Sequence, residues 1–220
     1  MTSHLRKFLL TGHVAVSVGW LGAIGAYLAL ALAGLTSGDV QTVRGSYLSM
    51  ELVARFVIIP CAFASALTGI MQSLGSPWGL FRHYWVLTKL LLTIGALVVL
   101  IFHFAAVERI AHVAREEALV PGQLTAERVQ LVVHAVGGMC VVLLALALSI
   151  YKPWGLTSYG KHRQHESRGS IPPPARARVA PEVTMPPRTP RWALVVGFHA
   201  VGLVVIALAV HVLGGGFRGH

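Results

Sequence analysis

The sequence predicts an all-α, polytopic membrane helix bundle: a duplicated two-helix hairpin that makes a four-helix core, followed by a fifth transmembrane helix. Three observations predict it. The chain is 55% hydrophobic and only 12% charged over 220 residues, whereas soluble domains carry roughly 25% charge. Five apolar runs, about 8–34, 50–74, 84–107, 129–151 and 192–213, approach or exceed the roughly 20 residues needed to cross a hydrocarbon core about 30 Å thick. The tetrapeptide Pro-Trp-Gly-Leu occurs at Pro77–Leu80 and again at Pro153–Leu156, an offset of 76 residues.

The first run follows Arg6 and Lys7 and resembles a signal peptide at its start. It is too long for a typical apolar signal core and contains Trp20, Tyr27 and several glycines, so it reads as a retained helix. The 76-residue offset also pairs Arg6 with Arg82, Gly19 with Gly95, Glu51 with Glu127, Val53 with Val129 and Ser73 with Ser149. A fixed period carrying landmark residues predicts duplication. Helices 1 and 2 form one hairpin and helices 3 and 4 its copy, related by a pseudo-two-fold axis along the membrane normal. The acidic and basic residues from Glu108 to Glu117 extend helix 3 as a solvated, salt-bridged segment or form a polar loop. The core therefore covers 1–156. Residues 157–190 form a basic, Pro-rich linker, and 191–220 hold the fifth helix and a short tail.

Orientation follows from Lys and Arg. With the N-terminus in the cytoplasm and the C-terminus outside, twelve basic residues lie inside and six outside, as the positive-inside rule requires. This predicts a bacterial inner-membrane protein with both Pro-Trp-Gly-Leu copies as helix stops at the cytoplasmic interface. The net charge of +10 then reports orientation and contact with anionic lipid, and nucleic acid is not an expected partner. Cys61 and Cys140 both lie inside apolar runs and form no Cys-x-x-Cys motif, so they read as small core residues.

Ionisable groups inside a membrane are costly and are functional candidates. His13 lies seven residues after Arg6, Lys89 seven after Arg82, and His199 eight after Arg191. All three therefore sit roughly 10–12 Å along their helices from inner-face anchors. The 76-residue offset lays His13 onto Lys89, which turns both toward one axis. Near the outer face, His103 precedes Glu108 by five residues and His134 follows Glu127 by seven. Glu51 and Arg55, four apart, pair as a rim ion pair, or Arg55 meets an anionic group such as a haem propionate. Each histidine also has a plainer reading, an interhelical hydrogen bond.

Haem in a bundle requires His ligands from facing helices, small residues beside the ring and cations for its propionates. His13, Lys89, His199, His103, His134 and Arg55 supply such a set, with haem b as the expected cofactor. Copper, with His13, His103 and His134 as ligands, is the alternative; a non-catalytic membrane scaffold is the third reading. No phosphate-binding glycine loop and no His-Glu-x-x-His motif is present, so soluble-type hydrolytic chemistry has no support in the sequence. The lipid bilayer is the expected partner, with a redox or membrane protein beside it.

His13 with Trp20 seven residues later resembles the opening of HemJ-type protoporphyrinogen oxidases and CopD-type copper-resistance proteins. Trp85 followed by Lys89-Leu90 resembles the third-helix Trp-x-x-x-Lys-Leu pattern of the HemJ type. That family binds haem b, and the resemblance implies roles for His13 and Lys89. The HemJ pattern places a His about eleven residues after its Lys, whereas His103 follows Lys89 by fourteen, so no role for His103 carries over. The run from Ser76 to Lys89 is still more similar to a family of predicted bacterial integral membrane proteins of the CopD-like superfamily. This resemblance covers most of the chain up to about Leu156 and implies the four-helix core, without a defined activity.

Overall fold

A computed structural model describes residues 2–75, 79–116, 124–152 and 155–162. Those residues are mostly helical, without a strand, and form four long helices: α1 (Ser3–Thr36), α2 (Val40–Leu74), α3 (Tyr84–Glu116) and α4 (Thr125–Tyr151). All four are long and apolar enough to cross a membrane. The fifth apolar run, the linker beyond His162, and the Pro-Trp pairs at 77–78 and 153–154 lie outside the described residues.

Each helix is longer than its apolar run. At about 1.5 Å per residue, α1 and α2 each measure about 50 Å, well beyond the hydrocarbon thickness. The largest difference from the sequence expectation is in α2, which starts ten residues before the predicted Met50. Asp39 explains it: its carboxylate accepts hydrogen bonds from the Thr42 N–H at 2.8 Å and the Thr42 hydroxyl at 2.6 Å. That N-cap satisfies donors that would otherwise be orphaned. Likewise α3 runs on through Arg109 and Arg115 to Glu116, the solvated extension anticipated for that stretch.

Within α2, residues Ala54–Ile58 adopt a π-helical turn, in which the Ile59 N–H reaches back to the Ala54 carbonyl. Pro60 follows directly. Proline offers no N–H to the ladder, so the helix widens by one residue where that bond is missing. α4 ends at Tyr151, and Lys152 takes a left-handed conformation (φ 44°) while its N–H still bonds the Leu148 carbonyl. The residue before a proline is disfavoured in the helical region, and Pro153 comes next.

The helices close into a ring in chain order: α1 packs on α2 and α4, and α3 on α2 and α4. The core is a stack of buried side chains that includes Trp20, Ile24, Tyr27, Tyr47, Met50, Ile110 and Leu131. Large apolar side chains such as Phe8, Phe56, Leu67, Phe102 and Ile150 point outward and are exposed. This inversion of the soluble pattern fits helices whose outer faces meet hydrocarbon.

Two sets of contacts fasten the ends. At the end holding the α1–α2 turn, Arg128 of α4 is buried; it donates to the Tyr47 hydroxyl of α2 at 2.8 Å and to the Gly34 carbonyl of α1. Its charge thus meets the carbonyl-rich end of α1. At the opposite end, residues that follow α4 fold back onto the chain before α3. The Thr157 N–H bonds the Arg82 carbonyl at 2.9 Å, the Thr157 hydroxyl bonds the Phe81 carbonyl at 2.7 Å, and His83 pairs with Leu156.

Two outcomes are expected. A Cβ at Gly34 would lie 2.7 Å from the Tyr47 ring, so Gly34→Ala should destabilise by about 1–3 kcal/mol through overpacking, read as a lower thermal unfolding midpoint in detergent. The two donors at Asp39 hold its carboxyl below its ordinary value of 3.8. Its capping contribution is therefore present above that value and lost as pH falls through the lower folded-state value. The protection factor of the Thr42 amide, its exchange relative to the free-chain rate at the same pH, should fall only in that acid range in the wild type and should already be low at neutral pH in Asp39→Ala.

Candidate functional site

Two clusters of polar groups lie inside the bundle, one toward each end. The first, at the end with the α1–α2 turn and called outer only after the expected orientation (the other inner), surrounds Glu51 of α2, buried to 7% exposure. Arg55, one turn on, donates to it at 3.3 Å, and Arg115 of α3 donates to its other oxygen. Arg55 also donates to Glu108 of α3 at 2.5 Å and lies 5.3 Å from the Phe104 ring centre. Two carboxylates and two guanidiniums thus neutralise one another across α2 and α3. Arg55 is engaged by protein carboxylates, so the rim ion pair is the reading the geometry favours over a propionate contact.

Below this network lie His103 of α3 and His134 of α4. Their rings stack with centroids 4.4 Å apart and planes inclined by 12°. His134 Nδ1 lies 2.8 Å from the Gln130 carbonyl; a carbonyl only accepts, so Nδ1 carries the proton. His103 Nε2 lies 3.2 Å from the Tyr27 hydroxyl of α1. The sequence brings the two histidines to one depth, and the structure puts them in contact.

That contact fits neither expected cofactor. Imidazole coordinates through a lone pair in its ring plane, so two face-to-face rings direct their lone pairs side by side and cannot converge on one ion at about 2 Å. A porphyrin between them would need them separated. The adjoining cavity, lined by Trp20, Tyr27, Gly95, Gly137 and Gly138, measures only about 90 Å³. Among the described residues no group of three or more His, Cys, Asp or Glu gathers as a metal-ligand set.

The inner cluster differs. A cavity of about 640 Å³ opens among all four helices at the end that holds Arg6 and Lys152, within the roughly 300–1,000 Å³ typical of ligand sites. His13 of α1 and Lys89 of α3 both line it, on helices placed diagonally in the ring. His13 Nδ1 lies 3.0 Å from the Thr68 hydroxyl of α2. Thr68 has one hydroxyl proton, and it goes to the Ala64 carbonyl at 2.6 Å. The Thr68 oxygen therefore accepts from His13 Nδ1–H, and Nε2 keeps its lone pair. The same device recurs opposite: Lys89 Nζ donates to the Ser149 hydroxyl at 2.7 Å, and that hydroxyl donates to the Ala145 carbonyl at 2.8 Å. Lys89 also lies 5.8 Å from the Trp85 ring centre.

Ser17 and Ser65, hydrogen-bonded at 2.9 Å, continue the polar lining toward the bundle centre. There Trp20 borders both cavities, and its buried indole N–H has no hydrogen-bond partner among the described residues. Gly69 leaves room beside His13, since a Cβ there would lie 3.2 Å from the imidazole and press on it. This inner site combines an imidazole with a defined lone-pair nitrogen, small neighbours and cations at the mouth. His199 lies outside the described residues.

Sequence reasoning did not find Thr68, Tyr27 or Arg115 as partners. Tyr27 carries a usable signal, since His13, Trp20 and Tyr27 recur every seven residues and so share one face of α1. Thr68 and Arg115 carry none, because their roles depend on which helices become neighbours.

No family model, curated protein or solved structure matches the chain.

The stacked pair is expected to hold no metal. Copper retained by the purified chain after equilibrium dialysis should be the same for the wild type and for His103→Ala/His134→Ala; loss of one equivalent would show that the rings part to bind it.

Proposed function

We propose that this chain is a multi-pass protein of a bacterial inner membrane that binds haem b in the inner cavity and serves a redox role. The observation that carries this reading is the tautomer set by Thr68, which leaves His13 Nε2 as a lone-pair donor in a cavity of about 640 Å³. Ligating histidines commonly give their other ring N–H to such an acceptor. His13 Nε2 would hold the haem iron. Lys89 would be either the second ligand or the charge partner of an acid group, with Arg6 and Lys152 at the mouth. The haem would supply one-electron chemistry; the protein would orient it between the helices and limit water around it.

Membership of the CopD-like superfamily and a duplicated hairpin belong to this reading. Ring order supports the duplication, because a two-fold axis would exchange α1 with α3 and α2 with α4 without changing any neighbour. The matched hydroxyl devices at His13 and Lys89 support it as well. The excess of Lys and Arg in the N-terminal segment and in the connections after α2 and α4 supports a cytoplasmic N-terminus, and a fifth span would then put the C-terminus outside.

Absorption spectra of the oxidised and reduced full chain, purified after expression with added haem, test the proposal. A Soret band should appear, vanish in His13→Ala and weaken in Thr68→Val, with haem affinity lower by about 10–100-fold, the usual cost of losing such an orienting partner. A wild-type chain without a Soret band would sink it.

A further inference from the structure

Lys89 is a half-buried ammonium within a helix that is otherwise apolar at this depth. Its protein partners are a neutral hydroxyl and an aromatic face. Among the described residues it takes part in no salt bridge: the ion pairs all involve Glu51, Glu108 or Glu116. The described acidic residues are Asp39, Glu51, Glu108, Glu116 and Glu127, and every one lies at the opposite end of the bundle. Among the described residues the inner cavity has no carboxylate in its lining, while His13, Lys89, Arg6 and Lys152 all border it. A cation removed from water without a counter-ion is costly, and it recovers much of that cost when an anion reaches it. Most of the remaining lining is apolar, including Leu10, Val14 and Val86.

We infer that the inner cavity is an anion site for an amphiphile, with an acid group held at Lys89 and an apolar body lying between the helices. The inference rests on the reading of this cavity as the ligand site and adds the charge of what it takes. Lys89 is then a charge partner and not an iron ligand. The cavity selects a ligand by its acid group as well as by its shape, and a neutral or zwitterionic amphiphile of equal length is discriminated against. The acid group can come from two sources, a free carboxylate amphiphile or the headgroup of an anionic lipid. Both present an oxyanion to an ammonium, and such charge-assisted hydrogen bonds are roughly twice as strong as neutral ones.

Bromine-labelled acyl chains test this, because Trp20 and Trp85 line the cavity and fluoresce. The full chain in neutral detergent is titrated separately with a brominated fatty acid, brominated phosphatidylglycerol and brominated phosphatidylcholine. Half-quenching by at least one acidic probe should need about tenfold less than by phosphatidylcholine, a difference of about 1.4 kcal/mol. Preference for the fatty acid assigns a free amphiphile, and preference for phosphatidylglycerol assigns a lipid headgroup. Inorganic phosphate alone, lacking an apolar body, should displace neither. Lys89→Met should reduce the ratio to near one, and Lys89→Arg should retain most of it. Equal quenching by all three probes of the wild type overturns the inference without any variant. So does an unchanged ratio in a Lys89→Met chain of native helicity. The titrations use protein expressed without added haem and the Soret band is read on a separate preparation expressed with it, which separates the two readings. A band without anion selectivity removes this inference alone, and selectivity without a band removes the haem reading alone.

Discussion

Glu51 is a carboxylate inside an apolar helix, and the outer half of the bundle is organised around satisfying it. Arg55 reaches it from one turn away and Arg115 from α3, while Glu108 balances the second guanidinium. An isolated buried charge would be among the most expensive features of the fold, whereas a network of opposite charges with hydrogen bonds to both oxygens is tolerated. This network holds α2 against α3. Arg128 performs the matching task for α1, α2 and α4 by joining the Tyr47 hydroxyl to the Gly34 carbonyl. With its outer end closed in this way, the bundle can remain open at the other.

The inner end inverts that logic. Polar groups there are oriented but not neutralised: Thr68 and Ser149 spend their own hydroxyl protons on backbone carbonyls and so present only acceptors to His13 and Lys89. The result is a free imidazole nitrogen and an ammonium beside a large cavity. A core built only for stability would fill that space, since unfilled volume forgoes dispersion contacts. Between the two ends, Trp20 and Ile24 join the packed centre, so the large cavity stops short of the stacked histidines. Stability and site are thereby separated along the bundle axis.

The sequence by itself determined the helices. Apolar runs of spanning length admit one backbone solution in hydrocarbon, and a helix meets it with no partner. The same periodicity put His13, Trp20 and Tyr27 on one face of α1, and depth counting set His13 level with Lys89 and His103 level with His134. The tertiary structure decided what those groups do for one another. Whether two histidines at one depth straddle a cofactor or stack at 4.4 Å depends on the rotation of each helix about its own axis. That rotation is set by packing across the ring and leaves no mark in spacing. The early start of α2 turned on a single cap at Asp39, and the His13 tautomer turned on a threonine 55 residues away. Local periodicity records which face of a helix is buried; only the neighbours that cover it determine whether a polar group there is a strut, a stack or a site.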